Sequence, residues 1–270
     1  MRRRVAPYSV WRSVVKPGSR PYIFCLEVEP GAVEAVGVLE RVAGAFARRR
    51  VPIIQLRIST LGRPRILLVA DLKGREELAG ELVDALRGVD YVADAWYAPP
   101  ITDGVAVDEC SFPLVFMGDR VVMLRRPVYE GFIAGGWERL GSGYGQLLYI
   151  VGFAAGQKAY ERQLSAVDGS EELVRLAKAL FQMLGYGRIE LLRIDDARRE
   201  AVVRVYDSFE CELFRGAGEI RGNFIRGLIA GWLAARWHVE RLEEVTAREV
   251  KCIARGDPYC QYWIRAEAKA

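Results

Sequence analysis

Hydrophobic and polar positions follow two different rhythms over the first hundred residues. Tyr22 to Val28 alternates as a strand does, whereas residues 32–49 place apolar side chains every three or four positions, as an amphipathic helix does. Two further strands, a second helix and a last strand follow at 51–59, 65–72, 75–87 and 91–97. The predicted order β-α-β-β-α-β is that of a ferredoxin-like layer of one sheet and two helices.

The pattern changes in the second half of the chain. The segment from about 130 to 164 carries eight glycines dispersed among aromatic residues. Since Gly in a helix interior costs up to about 1 kcal/mol against Ala, so many glycines indicate close backbone contacts with other elements or with a ligand. A helix, two paired strands, another helix and a final strand pair are predicted at 173–184, 187–194, 201–208, 219–237 and around 252–260.

Stretches rich in Pro and Gly predict the domain boundaries. Residues 1–21, with Arg2 to Arg4 and scattered prolines, favour an N-terminal arm, and the Pro- and Gly-containing stretch 99–107 favours a linker. The predicted domains are therefore 22–98 and 108–266, and the fold class is α+β. We expect 51% hydrophobic residues to fill the cores of two such domains.

Charge and hydropathy narrow the class of protein. The net charge of +4 comes with both signs interspersed, which argues against direct nucleic-acid binding. The sequence shows no secretory signal and no apolar run of membrane-spanning length. We therefore expect a soluble cytoplasmic protein with no membrane partner.

A short stretch near the C-terminus carries the strongest chemistry. Glu249, Cys252 and Cys260 surround Gly256-Asp257-Pro258, a turn sequence that folds the two thiols back on each other. Three interpretations stay open. The thiols bind zinc, they form a disulfide with each other, or they are free and buried. The other two cysteines, Cys25 and Cys110, are predicted to be ordinary core or linker residues.

Conventional catalytic apparatus is absent from the sequence. His238 is the only histidine, so a Ser-His-Asp or Cys-His site is not expected. Gly141 to Gly145 lacks the Lys-Ser/Thr of a phosphate-binding loop, and no general acid/base pair stands out. These absences favour a protein that is not an enzyme.

The first domain resembles the ACT domain, a small regulatory module. The resemblance rests on Phe24 to Val33, with Pro30-Gly31 at the first strand-to-helix turn, followed by a helix and then Val51 to Ile54. It covers residues 22–98 and implies a homodimer that binds an amino-acid effector at its interface. A ferredoxin-like module that only dimerises is the alternative.

Three motifs in the second half resemble, in order, the V4R (4-vinyl reductase) domain. They are Asp207 to Cys211, Asn223 to Trp232, and Glu249 to Cys252 with Cys260. The resemblance covers about residues 108–266. It implies an α/β domain around a small apolar ligand pocket, which serves as a sensor more often than as a catalyst.

The V4R resemblance also implies a zinc site. In the phenol sensors of this family a Glu and two Cys share the spacing of Glu249, Cys252 and Cys260, and a further Cys lies on the preceding helix. In this chain that helix position is Arg226, which cannot bind zinc. Cys211 is the nearby thiol predicted to take its place, and Glu210 or Glu212 could contribute an oxygen ligand.

Large aromatic residues on the predicted helices are candidates for the pocket wall. Trp137, Tyr149, Phe153 and Trp232 lie where the family's helices enclose the ligand, although ordinary core packing is the alternative. The resulting hypothesis is a non-enzymatic sensor that binds a small hydrophobic ligand, contains zinc and dimerises. The alternative is an enzyme or accessory factor of tetrapyrrole metabolism, for which no redox-cofactor motif is evident.

Overall fold

The computed structural model describes Pro7, Ser9 and residues 12–267. The Arg2 to Arg4 part of the predicted N-terminal arm lies outside these residues. The chain forms two compact units that divide between Phe116 and Met117, some way beyond the predicted linker at 99–107. Both units combine helices with antiparallel sheets, so the predicted α+β class is confirmed.

Unit 1 contains the predicted β-α-β-β-α-β order. Its elements are β1 (Ser13–Val15), β2 (Pro21–Val28), α1 (Val38–Arg48), β3 (Ile53–Ser59), β4 (Arg65–Asp71), α2 (Leu78–Arg87), β5 (Val92–Ala98), β6 (Val105–Val107) and β7 (Val115–Phe116). The main sheet has the order β3-β4-β2-β5, and every neighbouring pair is antiparallel. One face of this sheet carries the larger core, which includes Phe24, Phe46, Leu68 and Leu82.

The opposite face of the same sheet is also covered. Strands β1 and β6 pair with each other and bring Val14 and Ala106 against Ile23 and Val69. The sequence patterns do not predict β1, and β6 falls within the predicted linker. Because both faces of β2 are covered, nearly every residue of that strand is buried, and its pattern is a continuous apolar run rather than an alternation.

A disulfide joins Cys25 of β2 to Cys110, with the two Cα atoms 6.7 Å apart. The prediction that these are ordinary core or linker residues is therefore wrong. The two cysteines are 85 positions apart, and the pairing exists only because the β6 segment folds over β2. Local sequence patterns do not predict a contact between residues so far apart in the chain.

Unit 2 places helices on one face of a second four-stranded sheet. Its elements are β8 (Asp119–Arg120), α3 (Arg126–Glu130), α4 (Gly136–Leu140), α5 (Ser142–Leu164), α6 (Ser170–Met183), β9 (Arg188–Asp195), β10 (Glu200–Tyr206), α7 (Phe224–Arg236), β11 (Val245–Lys251) and β12 (Cys260–Ala266). The sheet order is β11-β12-β10-β9, with all pairs antiparallel. None of the helices in residues 12–267 is both long and apolar enough to cross a membrane.

Helices α5 and α7 pack with their backbones in direct contact. Gly152 and Gly156 on α5 face Gly227 and Gly231 on α7, each pair spaced by four residues. A Cβ atom placed on Gly231 would lie 1.9 Å from the carbonyl oxygen of Phe153. For these positions the glycines serve contacts between elements, one of the two roles predicted from the sequence.

Candidate metal centre and ligand cavity

The turn between β11 and β12 folds as its sequence predicts. Gly256 has φ +105°, a conformation that suits glycine, and the Asp257 carboxylate accepts a 2.8 Å hydrogen bond from the Cys252 backbone N–H. Glu249 on β11 and Cys260 on β12 both point into the unit and are buried. The hairpin thus presents one carboxylate and two thiols to the interior.

Cys211 completes this group from another part of the chain. It begins a short 3₁₀ turn, Cys211–Phe214, that follows β10. Its Sγ lies 3.7 Å from Cys252 Sγ and 3.9 Å from Glu249 Oε1. The four predicted ligand atoms all lie within 4.8 Å of one another, and all four residues are buried. Cys211, Cys252 and Cys260 are free thiols, so the alternative Cys252–Cys260 disulfide is not formed.

This donor set fits a tetrahedral metal ion. Zinc–sulfur bonds of about 2.3 Å place two sulfur ligands about 3.8 Å apart at the corners of a tetrahedron. The 3.7 Å separation of Cys211 and Cys252 matches that edge. The Ile253 backbone N–H donates to Cys260 Sγ at 3.5 Å, a contact that would also stabilise this sulfur as a metal-bound thiolate. Three thiols and one carboxylate favour zinc over magnesium or calcium.

Burial controls the charge of the cluster. Burial, followed by the negative charge of Cys252, raises the pKa of Glu249 to about 9. Hydrogen bonds from Cys211 and then Cys260 lower the pKa of Cys252. The protein alone therefore does not keep all four groups deprotonated. A divalent cation would supply the charge that lets them release their protons.

One further polar group borders the cluster. Tyr262 on β12 is fully buried, and its hydroxyl has no hydrogen-bond partner within residues 12–267. An unsatisfied buried hydroxyl costs about 1–3 kcal/mol, so native structures contain few of them. Burial and then the charges of Glu249 and Cys211 raise the pKa of Tyr262, which reflects how near the hydroxyl lies to the cluster.

The segment before α7 donates its backbone N–H groups to this region. The Arg221 N–H donates to the Cys252 sulfur, and the Gly222 N–H donates to Glu249 Oε2 at 3.1 Å. The next three N–H groups, at positions 223–225, donate to the carboxylate of Glu210 at 2.8–2.9 Å. Glu210 is fully buried and directly precedes Cys211. The start of α7 is therefore held by Glu249 and Cys252 of the cluster and by Glu210, the neighbour of Cys211.

Helix α7 continues from this segment to a cavity of about 160 Å³. The cavity lies among α5, α6, β9 and α7, and its lining includes Gln163, Phe181, Tyr186, Leu191, Leu228 and Trp232. The indole N–H of Trp232 donates a 2.9 Å hydrogen bond to Gln163 Oε1, and both side chains are buried. The lining is mostly apolar, with one buried amide.

Of the four predicted pocket residues, Trp232 lines this cavity and the other three lie elsewhere. Tyr149 and Phe153 are buried on the α5 face that meets the glycines of α7. Trp137 contacts Arg221, whose guanidinium lies 4.3 Å from the centre of the indole ring. Tyr149 and Phe153 are packed in the core, the alternative considered for these aromatic residues, and Trp137 is half-buried.

Several residues of the site escape prediction from the sequence. Tyr262 gives no signal because one tyrosine in a strand is common. Glu210, one of two glutamates expected to be able to supply an oxygen ligand, instead accepts backbone N–H groups at the start of α7. Phe181 and Leu191 belong to an amphipathic helix and a strand whose patterns indicate only which face is buried, and Tyr186 lies in the loop between these two elements. A usable signal is the four-residue glycine spacing in both α5 and α7, which identifies two helices in backbone contact.

Comparison with known proteins gives remote similarities. No protein-family model matches the chain. An uncharacterized protein of Methanocaldococcus jannaschii is 25% identical over 132 residues, which are 48% of this chain and 69% of that protein.

Three solved structures are similar to about half of the chain. The phenol-responsive sensory domain of the transcription activator PoxR with phenol has a TM-score of 0.47 at 18% identity, covering 55% of this chain and 77% of that one. A vinyl-4-reductase family protein of M. jannaschii has a TM-score of 0.37 at 18% identity, covering 55% and 85%. Subunit 3 of a trafficking protein particle complex from Naegleria fowleri, covalently bound to palmitic acid, has a TM-score of 0.41 at 14% identity, covering 53% and 93%.

The second of these structures carries the family name that the sequence motifs indicated. The ACT resemblance of unit 1 stays a prediction. At TM-scores below 0.5 the similarities are remote, so the function of this chain has to be inferred from its own residues.

Proposed function

We propose that this protein is a non-enzymatic sensor in which unit 2 binds a small hydrophobic ligand. The observation that carries this proposal is the cavity of about 160 Å³ with its apolar lining and single buried amide. An engineered apolar cavity of about 150 Å³ is known to bind benzene. The volume lies below the range of about 300–1,000 Å³ that holds drug-sized ligands, so the expected ligand is a single ring rather than a tetrapyrrole.

The test uses phenol, toluene and cyclohexanol as probes, with calorimetry and thermal shift as measurements. We expect at least one probe to bind the wild-type protein and to raise its melting temperature. Ala155→Leu fills the lined space and should abolish binding. Ala154→Leu, one position away on the exposed side of the same helix, should leave it unchanged. If no probe binds, or if Ala155→Leu binds as the wild type does, the cavity is not a ligand site.

The proposed function includes a zinc centre formed by Cys211, Glu249, Cys252 and Cys260. The zinc would neutralise the buried cluster and, through Glu249 and Cys252, would hold the segment that leads into α7. Since α7 lines the cavity and is tightly packed on α5, the centre would keep the cavity wall in place. The role proposed for zinc is therefore structural.

Elemental analysis of the purified protein tests this centre. We expect about one zinc per chain, with metal lost in Cys252→Ser and in Cys211→Ser, because a closed structural site uses four ligands. The double variant Cys25→Ala/Cys110→Ala is the matched control, since it also removes two cysteines but should retain the metal. Retention of zinc by Cys211→Ser would remove that thiol from the ligand set.

We further propose that unit 1 mediates homodimer formation and binds an amino-acid effector, as the ACT resemblance implies, and that the protein acts in the cytoplasm. The β1–β6 pair occupies part of the outer face of the main sheet, which leaves the strand edges and helices for pairing. Edge strand β3 carries the exposed side chains Leu56 and Ile58. Sedimentation analysis with and without added amino acids tests dimer formation and effector binding, and a monomer under all conditions would contradict both.

A further inference from the structure

Tyr262 and Glu249 are direct partners across the β11–β12 ladder. Both side chains point into unit 2, and the tyrosine is completely buried. Its hydroxyl is the one polar side-chain atom of this hairpin that is buried and without a hydrogen bond in residues 12–267. A hydroxyl in this position is unusual unless a partner becomes available in another state of the protein.

The hydroxyl and the Glu249 carboxylate border the same small space beside Gly222. A Cβ atom placed on Gly222 would lie 2.8 Å from the Tyr262 hydroxyl oxygen, 2.6 Å from Glu249 Oε2 and 2.9 Å from Glu249 Oε1. A side chain at position 222 would therefore separate the two groups. Glycine at this position keeps the space between them open.

The two carboxylate oxygens of Glu249 face different surroundings. Oε1 lies toward the thiols, 3.9 Å from Cys211 Sγ, whereas Oε2 accepts the hydrogen bond from the Gly222 N–H. A carboxylate that binds metal through one oxygen has a second oxygen that needs hydrogen-bond donors. The backbone N–H of Gly222 is one donor, and the nearby Tyr262 hydroxyl is the other candidate.

We propose that Tyr262 is a positioning residue of the metal centre, whose hydroxyl donates a hydrogen bond to the Glu249 oxygen that is not bound to metal. This inference rests on the proposed metal centre. The hydrogen bond fixes the orientation of the carboxylate once its other oxygen binds metal, and without that hydrogen bond the buried hydroxyl has no partner. Tyr262 thus acts through Glu249 and does not itself touch the ion.

The proposal predicts opposite effects of Tyr262→Phe in the two states of the protein. Zinc affinity, measured by competition with a chromophoric chelator, should fall about 10–100-fold, as it does when outer-shell partners of metal ligands are removed. The metal-free variant should be at least as stable to urea as metal-free wild type, because the substitution removes an unsatisfied buried hydroxyl. A residue that contributes only packing would change both states alike.

Two variants complete the experiment. Tyr206→Phe removes a hydroxyl from β10 that donates to Glu190 on the exposed face of the sheet, and it should leave zinc affinity unchanged. Gly222→Ala places a methyl group between Glu249 and Tyr262 and should lower zinc affinity as well. Cobalt substitution adds a spectroscopic readout, because a displaced carboxylate shifts the visible absorption bands of the bound ion.

The outcomes separate this inference from the proposed function. If wild-type protein binds no zinc, the metal centre itself fails. If wild type binds zinc and Tyr262→Phe binds it equally tightly, the centre stands and the role of Tyr262 is overturned. A variant that is weakened in the metal-free state as much as in the zinc-bound state would also overturn it.

Discussion

Both units are built on a four-stranded antiparallel sheet, but they differ in the polar residues and cysteines that they bury. Among the described residues, unit 1 buries Ser19 and the side chain of Asp108, which pairs with Arg12, whereas unit 2 buries Gln163, Ser208, Glu210 and Glu249. Unit 1 uses its two cysteines in a disulfide, and unit 2 keeps three buried thiols free.

This difference indicates where binding chemistry lies. Burying polar or charged groups is unfavourable unless they find partners, and unit 2 contains several such groups as well as a cavity. Unit 1 covers both faces of its sheet with apolar side chains and a covalent link, which serves stability. The comparison therefore favours binding of the hydrophobic ligand and of metal inside unit 2, whereas the dimer and effector contacts proposed for unit 1 would lie on its surface.

The largest expected effect comes from opening the covalent link of unit 1. Cys25→Ala/Cys110→Ala should lower the stability of unit 1 by about 4 kcal/mol, because a cross-link across 85 positions restricts the unfolded chain strongly. Hydrogen exchange of the β2 and β4 amides measures the loss. Wild type under reducing conditions is the control and should lose a similar amount.

That experiment also tests the division of roles between the units. Zinc content and phenol binding should be unchanged in the double variant, because the metal and cavity residues all belong to unit 2. Loss of zinc together with the disulfide would contradict the assignment of metal chemistry to unit 2 alone.

The disulfide also shows which features of this protein are predictable from sequence. Glu249, Cys252 and Cys260 could be found because their spacing spans a single hairpin, where the turn sequence determines which side chains meet. Cys211 could be named because so few thiols were available to complete the set. Cys25 and Cys110 could not be paired, because their contact depends on how β6 folds over the sheet.

The cavity, too, could be predicted from the sequence only in part. Periodicity indicates the buried face of α6, whereas α5 has no clear apolar stripe, and Tyr149 and Phe153 were predicted as pocket residues but lie against α7. A cavity is the space left after side chains of several elements have packed, and no single element's pattern encodes it. The order of strands and helices in unit 1 was predictable because turn residues separate them, although α1 begins at Val38 and β2 does not alternate.

An intermediate effect is expected from the glycine contact between α5 and α7. Gly231→Ala puts a methyl group 1.9 Å from the Phe153 carbonyl oxygen, which is backbone and cannot swing away. Separating the helices should cost about 3 kcal/mol, the upper part of the range for overpacking. Urea unfolding, monitored by hydrogen exchange in unit 2, measures this loss of stability. Phenol affinity should also fall, because α7 lines the cavity.

The opposite result would revise the picture of a rigid cavity wall. If Gly231→Ala keeps both wild-type stability and phenol affinity, α5 and α7 separate easily, and the close approach of their backbones does not hold the cavity in shape.

The smallest effect, of opposite sign, is expected for a helical glycine of unit 1. An alanine methyl group at Gly80 in α2 would meet no atom within 4 Å, and Gly80 does not have a positive φ. Gly80→Ala should therefore stabilise unit 1 by about 0.5–1 kcal/mol, because alanine has the higher helix propensity. Gly74→Ala is the matched control, because the space around it is equally open but its φ is +68°, so it should destabilise the unit instead. Thermal unfolding of both variants measures the pair. A loss of stability in Gly80→Ala would indicate that helix α2 meets a partner, such as a second copy of this chain, and would place the homodimer contact proposed for unit 1 on that helix.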